Sequence, residues 1–192
     1  MRIGDEVLVA SGGSKRIRWI SSTRLKGAAL CRQPKHRPVR ITAGALGDGL
    51  PLRDLMVSRQ HRILVRSKVA ERMFGTCDAL IAAIKLTALP GIYVDEEASE
   101  VEYFHILFDS HEVIWAEGTL SESLFTGPQA LKSVPHEARA ELEALFPEMS
   151  ALNYQAVSAA YIPSGKLQKE LVARHLKNAK ALIAQALEPS LT

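Results

Sequence analysis

Ser58-Arg59-Gln60-His61 sets a hydroxyl and an imidazole three residues apart, inside the largely apolar stretch from Leu55 to Val65. An imidazole titrates near neutrality, so it can hand a proton to a departing amide nitrogen. A hydroxyl can hydrogen-bond the carbonyl or amide being broken. Along a straight strand, residues i and i+3 point to opposite faces, so the two groups cooperate only where the strand breaks at a turn or bulge. Without that break Ser58 simply caps a turn and His61 fills a polar gap in the core, because Ser-x-x-His is a common accident.

A second segment, Tyr103 to Trp115, carries His105, Asp109 and His111. If Asp109-Ser110 is a two-residue hairpin loop, Phe104, Ile106, Phe108, His111, Val113 and Trp115 share one face, which must be core. Tyr103, His105, Leu107, Glu112, Ile114 and Ala116 share the other, and the two histidines point apart. A longer loop changes this, and Asp-Ser lacks the Gly that favours the tight form. A zinc centre needs more converging His, Cys or carboxylate ligands than this hairpin supplies, so neither a metal nor another cofactor is expected.

The elements that must hold these residues are mostly strands. Glu6 to Ala10 reads as a strand, broken by Ser11-Gly12-Gly13-Ser14 and resumed over Arg16 to Ser21 as a hairpin. Ala28 to Leu30 reads as a short helical turn and Val39 to Ile41 as a strand. The tract Ala43 to Gly49 lacks the spacing and Lys of a phosphate loop and reads as a flexible connection. Asp54 to Val57 and Arg62 to Val65 are strand pieces flanking the Ser58-His61 turn. Val69 to Phe74 is a helical turn stopped by Gly75, and Ala79 to Ile84 fits strand or helix equally. Leu89 to Ile92 reads as a turn. Glu100 to Phe108 and His111 to Ala116 have strand composition, and Glu117-Gly118 turns into Leu120 to Leu124. After Gly127-Pro128, Val134, Ala138, Leu142, Leu145 and Phe146 repeat at helical spacing up to Pro147. Val172, Leu176, Ala179, Ile183 and Leu187 form a second helical stripe. The expected organisation is a mainly β domain over residues 1–127 and an α-helical extension over 128–192.

A chain of 192 residues, 47% hydrophobic, suits one domain or a domain with an appendage. The longest wholly apolar run, Ala79 to Ile84, is too short to span a membrane, and Met1 to Glu6 lacks a signal peptide's apolar stretch. No membrane partner is expected, and a cytoplasmic location is the default. Two cysteines allow at most one disulfide. Residues 1–75 hold 16 Lys+Arg against 5 Asp+Glu, a net +11; residues 76–149 hold 3 against 14, a net −11. The basic half suggests a polyanion binder, but it contains no recognition helix or other nucleic-acid motif. The two halves are expected to pack together and neutralise each other, with no nucleic-acid partner.

Several blocks in order carry a resemblance. They are Gly4-Asp5-Glu6-Val7-Leu8, Arg53-Asp54-Leu55-x-Val57-Ser58-x-Gln60-His61-Arg62-Ile63-Leu64, His105-x-Leu107-Phe108-Asp109-x-His111-Glu112-Val113-Ile114-x-Ala116-Glu117-Gly118, Ser121-Glu122-Ser123-Leu124 and Thr126-Gly127. Together, over roughly residues 1–127, they resemble the bacterial branch of the Hint family, the self-cleaving domains of hedgehog proteins and inteins. The resemblance implies a Hint-like β fold and self-cleavage of a peptide bond by an N-to-S acyl shift, the substrate being the chain's own N-terminal flanking polypeptide. It implies that Ser58 orients the scissile bond and His61 protonates its nitrogen. His111 matches the later family histidine, His105 sits near a position often held by Asp in inteins, and Asp109 lies close to both.

The family nucleophile, a Cys or Ser, precedes the segment matching Gly4-Asp5 by a strand and a turn. The chain as it begins is therefore expected to lack its first strand and attacking group and to be inactive by that route. An acyl shift at Cys31 or Cys77 would cut through the β domain, so both read as inert cysteines. The terminal His-Asn of inteins is replaced by Glu117 to Glu122, so splicing is not expected. The alternatives are a non-catalytic protein-interaction module and, behind it, the polyanion binder.

Overall fold

Short strands joined by tight turns occupy the first two thirds of the chain, as the composition directs. The structure, a computed structural model, describes residues 1–127, 141–142, 144–150 and 154–183. Strands β1 (Glu6–Leu8) and β2 (Ser14–Arg16) form a hairpin. β3 (Trp19–Lys26) pairs along its whole length with β9 (Glu100–Leu107), antiparallel, and is followed by α1 (Gly27–Arg32). β4 (Val39–Ile41) lies between β5 (Leu55–Val57) and β8 (Ile92–Val94). The central sheet has the order β10-β11-β6-β7, from β6 (Arg62–Arg66), β7 (Asp78–Ala82), β10 (Val113–Ala116) and β11 (Thr119–Glu122). Helix α2 (Lys68–Phe74) bridges β6 and β7, α3 (Ala83–Leu86) follows β7, and α4 (Gly165–Lys177) lies near the C-terminus.

Both faces of β6 and β7 are covered, which is why their sequences run apolar without alternating. Ile63, Val65, Ala79 and Ile81 face a core shared with Val39, Ile41, Leu46 and Leu86. Leu64 and Leu80 face the opposite way, onto Val113 and Leu120. Each fully buried Leu or Ile contributes about 1.5–3 kcal/mol, so this sheet is the frame of the molecule. The main core also takes in Leu171, Val172, Leu182 and Ile183, so α4 and the segment after it share the β domain's interior. Among the described residues, six ion pairs join the basic and acidic stretches: Arg18–Asp109, Arg24–Glu102, Arg40–Asp95, Arg53–Glu117, Arg62–Glu122 and Arg66–Asp78. No helix among the described residues is long and apolar enough to cross a membrane.

Some expectations are corrected. Ala79 to Ile84 is strand and then helix, the change falling between Ala82 and Ala83. β9 and β10 do not form a hairpin: β9 pairs with β3 and β10 with β11. The face assignment built on that hairpin fails with it, since Phe104 is exposed while Leu107, Glu112 and Ile114 are buried. The Gly-rich tract is a packed turn rather than a flexible connection. Leu46 is fully buried and its carbonyl accepts from the Leu182 and Ile183 N–H groups. Gly47, at φ +102°, lies so close to Ala181 that a Cβ would stand 2.3 Å from the Ala181 Cβ. Within the second helical stripe α4 stops at Lys177, Ala179 takes φ +47°, and Ile183 forms a parallel bridge with Arg66, while Leu187 lies outside the described residues. Of the first stripe, Val134 and Ala138 lie outside the described residues. Leu142 and Phe146 pack on Trp19 and Leu107.

Candidate functional site

The strand break that cooperation demands is present. β5 ends at Val57, β6 starts at Arg62, and the turn between them is closed by the His61 N–H donating to the Ser58 carbonyl at 3.1 Å. Helix α3 pins it from outside: Ala83 N–H donates to the His61 carbonyl at 2.8 Å and Ile84 N–H to the Arg59 carbonyl at 3.0 Å.

Register then decides what the turn meets. Ser121 of β11 lies opposite Ile63 of β6. Successive strand residues face opposite ways, so Ser121 shares a face with His61, and Glu122 shares the other with Arg62. His61 Nε2 lies 2.5 Å from Ser121 Oγ. The Glu122 carboxylate accepts from the Arg62 main-chain N–H at 2.7 Å and from its guanidinium at 2.9 Å. His111 Nε2 lies 3.6 Å from Glu122 Oε2, just beyond a direct hydrogen bond. The Phe125 ring stands 5.0 Å from the His111 ring and 5.6 Å from the Arg62 guanidinium.

Four of the five residues singled out from sequence can be placed about this centre. Ser58, half-buried, opens the turn that His61 closes. His111 joins through Glu122. His105, half-buried on β9 opposite Ser21, lies close enough for its charge to act on His61. Asp109 stands apart: its side chain is 76% exposed and pairs with Arg18 at 3.3 Å. Ser121 and Glu122 were not singled out. Their signal is a strand, Thr119–Glu122, whose polar side chains are buried on both faces, within the Ser121-Glu122-Ser123-Leu124 block that carries part of the resemblance.

Burial pushes the His61 imidazole below its ordinary value. The Glu122 charge opposes that shift, while His105, Arg62 and His111 reinforce it. Burial lowers His105 as well. For Glu122, burial works to raise the carboxyl, but the nearby His111 ring, the charges of His61 and Arg62 and the Arg62 hydrogen bonds outweigh it and hold the group ionised. At neutral pH the arrangement is thus a neutral imidazole sharing Nε2 with a buried hydroxyl, backed by a fixed carboxylate. Such an imidazole accepts a proton from an incoming thiol. Once charged, it is a stronger acid than an ordinary histidine and releases the proton readily.

Neither cysteine belongs to this centre. Cys77 precedes Asp78, which pairs with Arg66 at the far end of the β6–β7 ladder from Arg62, about 13 Å along the strand from the turn. Cys31 lies in α1, beyond the end of the β3–β9 ladder remote from His105. Both are exposed. An open cavity of about 800 Å³ lies elsewhere, over Arg40, Asp54, Met56, Tyr93 and Asp95. No three His, Cys, Asp or Glu side chains among the described residues converge as a metal would require.

A comparison with curated proteins finds no match. The family model described as the Hint domain matches residues 1–128. The matched span contains the broken strand, both histidine-bearing segments and the β10–β11 hairpin, and the chain belongs to the Hint domain family, a family of autoprocessing β domains.

Proposed function

We propose that this chain provides the acid–base centre of a Hint-type self-cleavage, acting on a peptide bond in polypeptide joined ahead of it. The attacking group is a thiol on the residue that follows the scissile carbonyl. His61 takes the thiol proton as sulfur adds to the carbonyl carbon. The C–N bond breaks, His61 returns the proton to the departing nitrogen, and a thioester and a free amine result. Ser58, at the start of the turn, is assigned to hydrogen-bond the scissile group. Ser121 holds the His61 ring by its Nε2, leaving Nδ1 for the reacting proton. Arg62 and His111 keep Glu122 charged, and that charge steadies the imidazolium formed in transit.

The observation that carries this reading is the turn at Ser58–His61, which breaks the strand and brings His61 against Ser121. The positions of Cys31 and Cys77 support a thiol from outside the β domain. In the test, a host segment ending in a Cys-containing strand and turn is fused ahead of Met1. The fusion and the unfused chain are incubated with a small thiol and followed by intact mass. Release of the host segment as its thioester from the fusion alone is the expected result. An intact fusion would support a non-catalytic interaction module instead, and cleavage of the unfused chain at Cys31 or Cys77 would contradict the assignment outright.

A further inference from the structure

We infer that residues 154–162, beyond the family match at 1–128, are a working part of the processing site: the Ala159 N–H holds the His111 ring with its proton on Nε2, facing Glu122. The inference rests on the processing function proposed above. The His111 side chain is only 3% exposed, so its ring is shielded from water and its position is set by what the protein places beside it. Nδ1 accepts from the Ala159 N–H at 3.0 Å. Ser158 Oγ also approaches Nδ1, at 3.5 Å, but its hydroxyl donates to the Ala160 carbonyl at 2.7 Å. The main-chain N–H is therefore the donor that fixes the ring. A neutral imidazole has one N–H, and a nitrogen that accepts does not carry it. The proton is then on Nε2, 3.6 Å from Glu122 Oε2.

The segment that delivers this N–H is anchored on both sides. The Tyr161 carbonyl accepts from the Leu80 N–H at 2.8 Å, and Tyr161 forms a parallel bridge with Ala79 of β7. Ala160 and Ile162 pack against Leu64, Leu80, Val113 and Leu120. Upstream, the Tyr154 hydroxyl lies 2.5 Å from Thr126 Oγ1. Ala159 thus lies two residues before a bridge to the β7 edge of the central sheet, in a segment held on both sides. His111 in turn helps keep Glu122 ionised, and the Glu122 charge acts on His61. Ala159 is a positioning residue in this scheme, acting through His111 and Glu122.

The direct test is nuclear magnetic resonance of the full, unsubstituted chain, isotopically labelled. The inference expects a scalar coupling across the hydrogen bond between the Ala159 amide nitrogen and His111 Nδ1, with pyrrole-type Nε2 and pyridine-type Nδ1 shifts. A protonated Nδ1 or the other neutral tautomer overturns it. In the fusion described above, Ala159→Pro removes the N–H and is expected to slow processing by about tenfold or more. Ala159→Gly keeps the N–H and is expected to restore the rate. Processing by a folded Ala159→Pro chain at the unsubstituted rate overturns the inference while leaving the processing function intact. If Ala159→Pro does not fold, the coupling and the glycine variant decide. A coupling observed in a chain whose fusion never processes removes the processing function, and with it the role inferred here.

Discussion

Replacing Glu122 with Gln tests the buried electrostatics behind His61. The carboxylate is 7% exposed and accepts two hydrogen bonds from Arg62, at 2.7 and 2.9 Å, while the Arg62 side chain is 25% exposed. Gln keeps the shape but not the charge, and its NH2 must face one of the two donors. Losing one charge-assisted hydrogen bond costs about 1.5–3 kcal/mol. Breaking a fully buried pair costs about 3–5 kcal/mol, but Arg62 keeps some water and falls short of that limit. The expected loss is about 2–3 kcal/mol at pH 7.5, or roughly 1 M in the urea midpoint for a slope of about 2 kcal/mol/M. The assay is urea unfolding of the unsubstituted chain, Glu122→Gln, Arg62→Met and the double variant. The double variant should lose less than the two singles together, with a coupling of about 1–3 kcal/mol. Single losses under about 0.5 kcal/mol with no coupling would refute the claim that this pair is held away from water.

Two further outcomes are expected. Burial holds His61, His105 and His175 below the ordinary imidazole value in the folded chain. The unfolded chain therefore binds protons that the folded chain refuses. Stability from these groups is complete above about pH 6.5 and is lost as pH falls below it, by at most about 1.4 kcal/mol per pH unit for each proton. Urea midpoints from pH 7.5 to 5.5, above the carboxylate range, should fall; a flat profile would contradict the burial of these rings. Gly47→Ala combines a φ of +102° with a Cβ placed 2.3 Å from the Ala181 Cβ, whereas Gly49, at φ +75°, has nothing near it. The first substitution should cost more than about 2 kcal/mol and the second about 1 kcal/mol in thermal unfolding, and equal losses would contradict the close approach.

What was legible in the sequence was local. Gly75 ends α2 in the left-handed conformation, and Glu117-Gly118 turns β10 into β11. The break between Val57 and Arg62 was legible too, because cooperation between Ser58 and His61 required it. Strand partnership was not legible. Period-2 patterning marks β9 as a strand but says nothing of its partner, which is β3, far earlier in the chain. The tight hairpin was therefore the wrong frame for judging whether His105 and His111 diverge. Ser121 and Glu122, though part of a block that carries the resemblance, were not legible as site residues for a related reason. Their burial depends on β6 pairing on one side and β10 on the other, a tertiary fact that four residues of mixed polarity do not announce.

The central claim is that a histidine at a strand break moves the proton in a self-cleavage, and the most direct measurement is a comparison of rates. Thiol-induced release of the host segment is timed for the fusion carrying His61 and for the same fusion with His61→Gln, both checked for folding by urea midpoint. Positioned proton transfer contributes about 10²–10⁴-fold, so the Gln variant should be at least about 100-fold slower. Equal rates in two folded proteins would contradict the account.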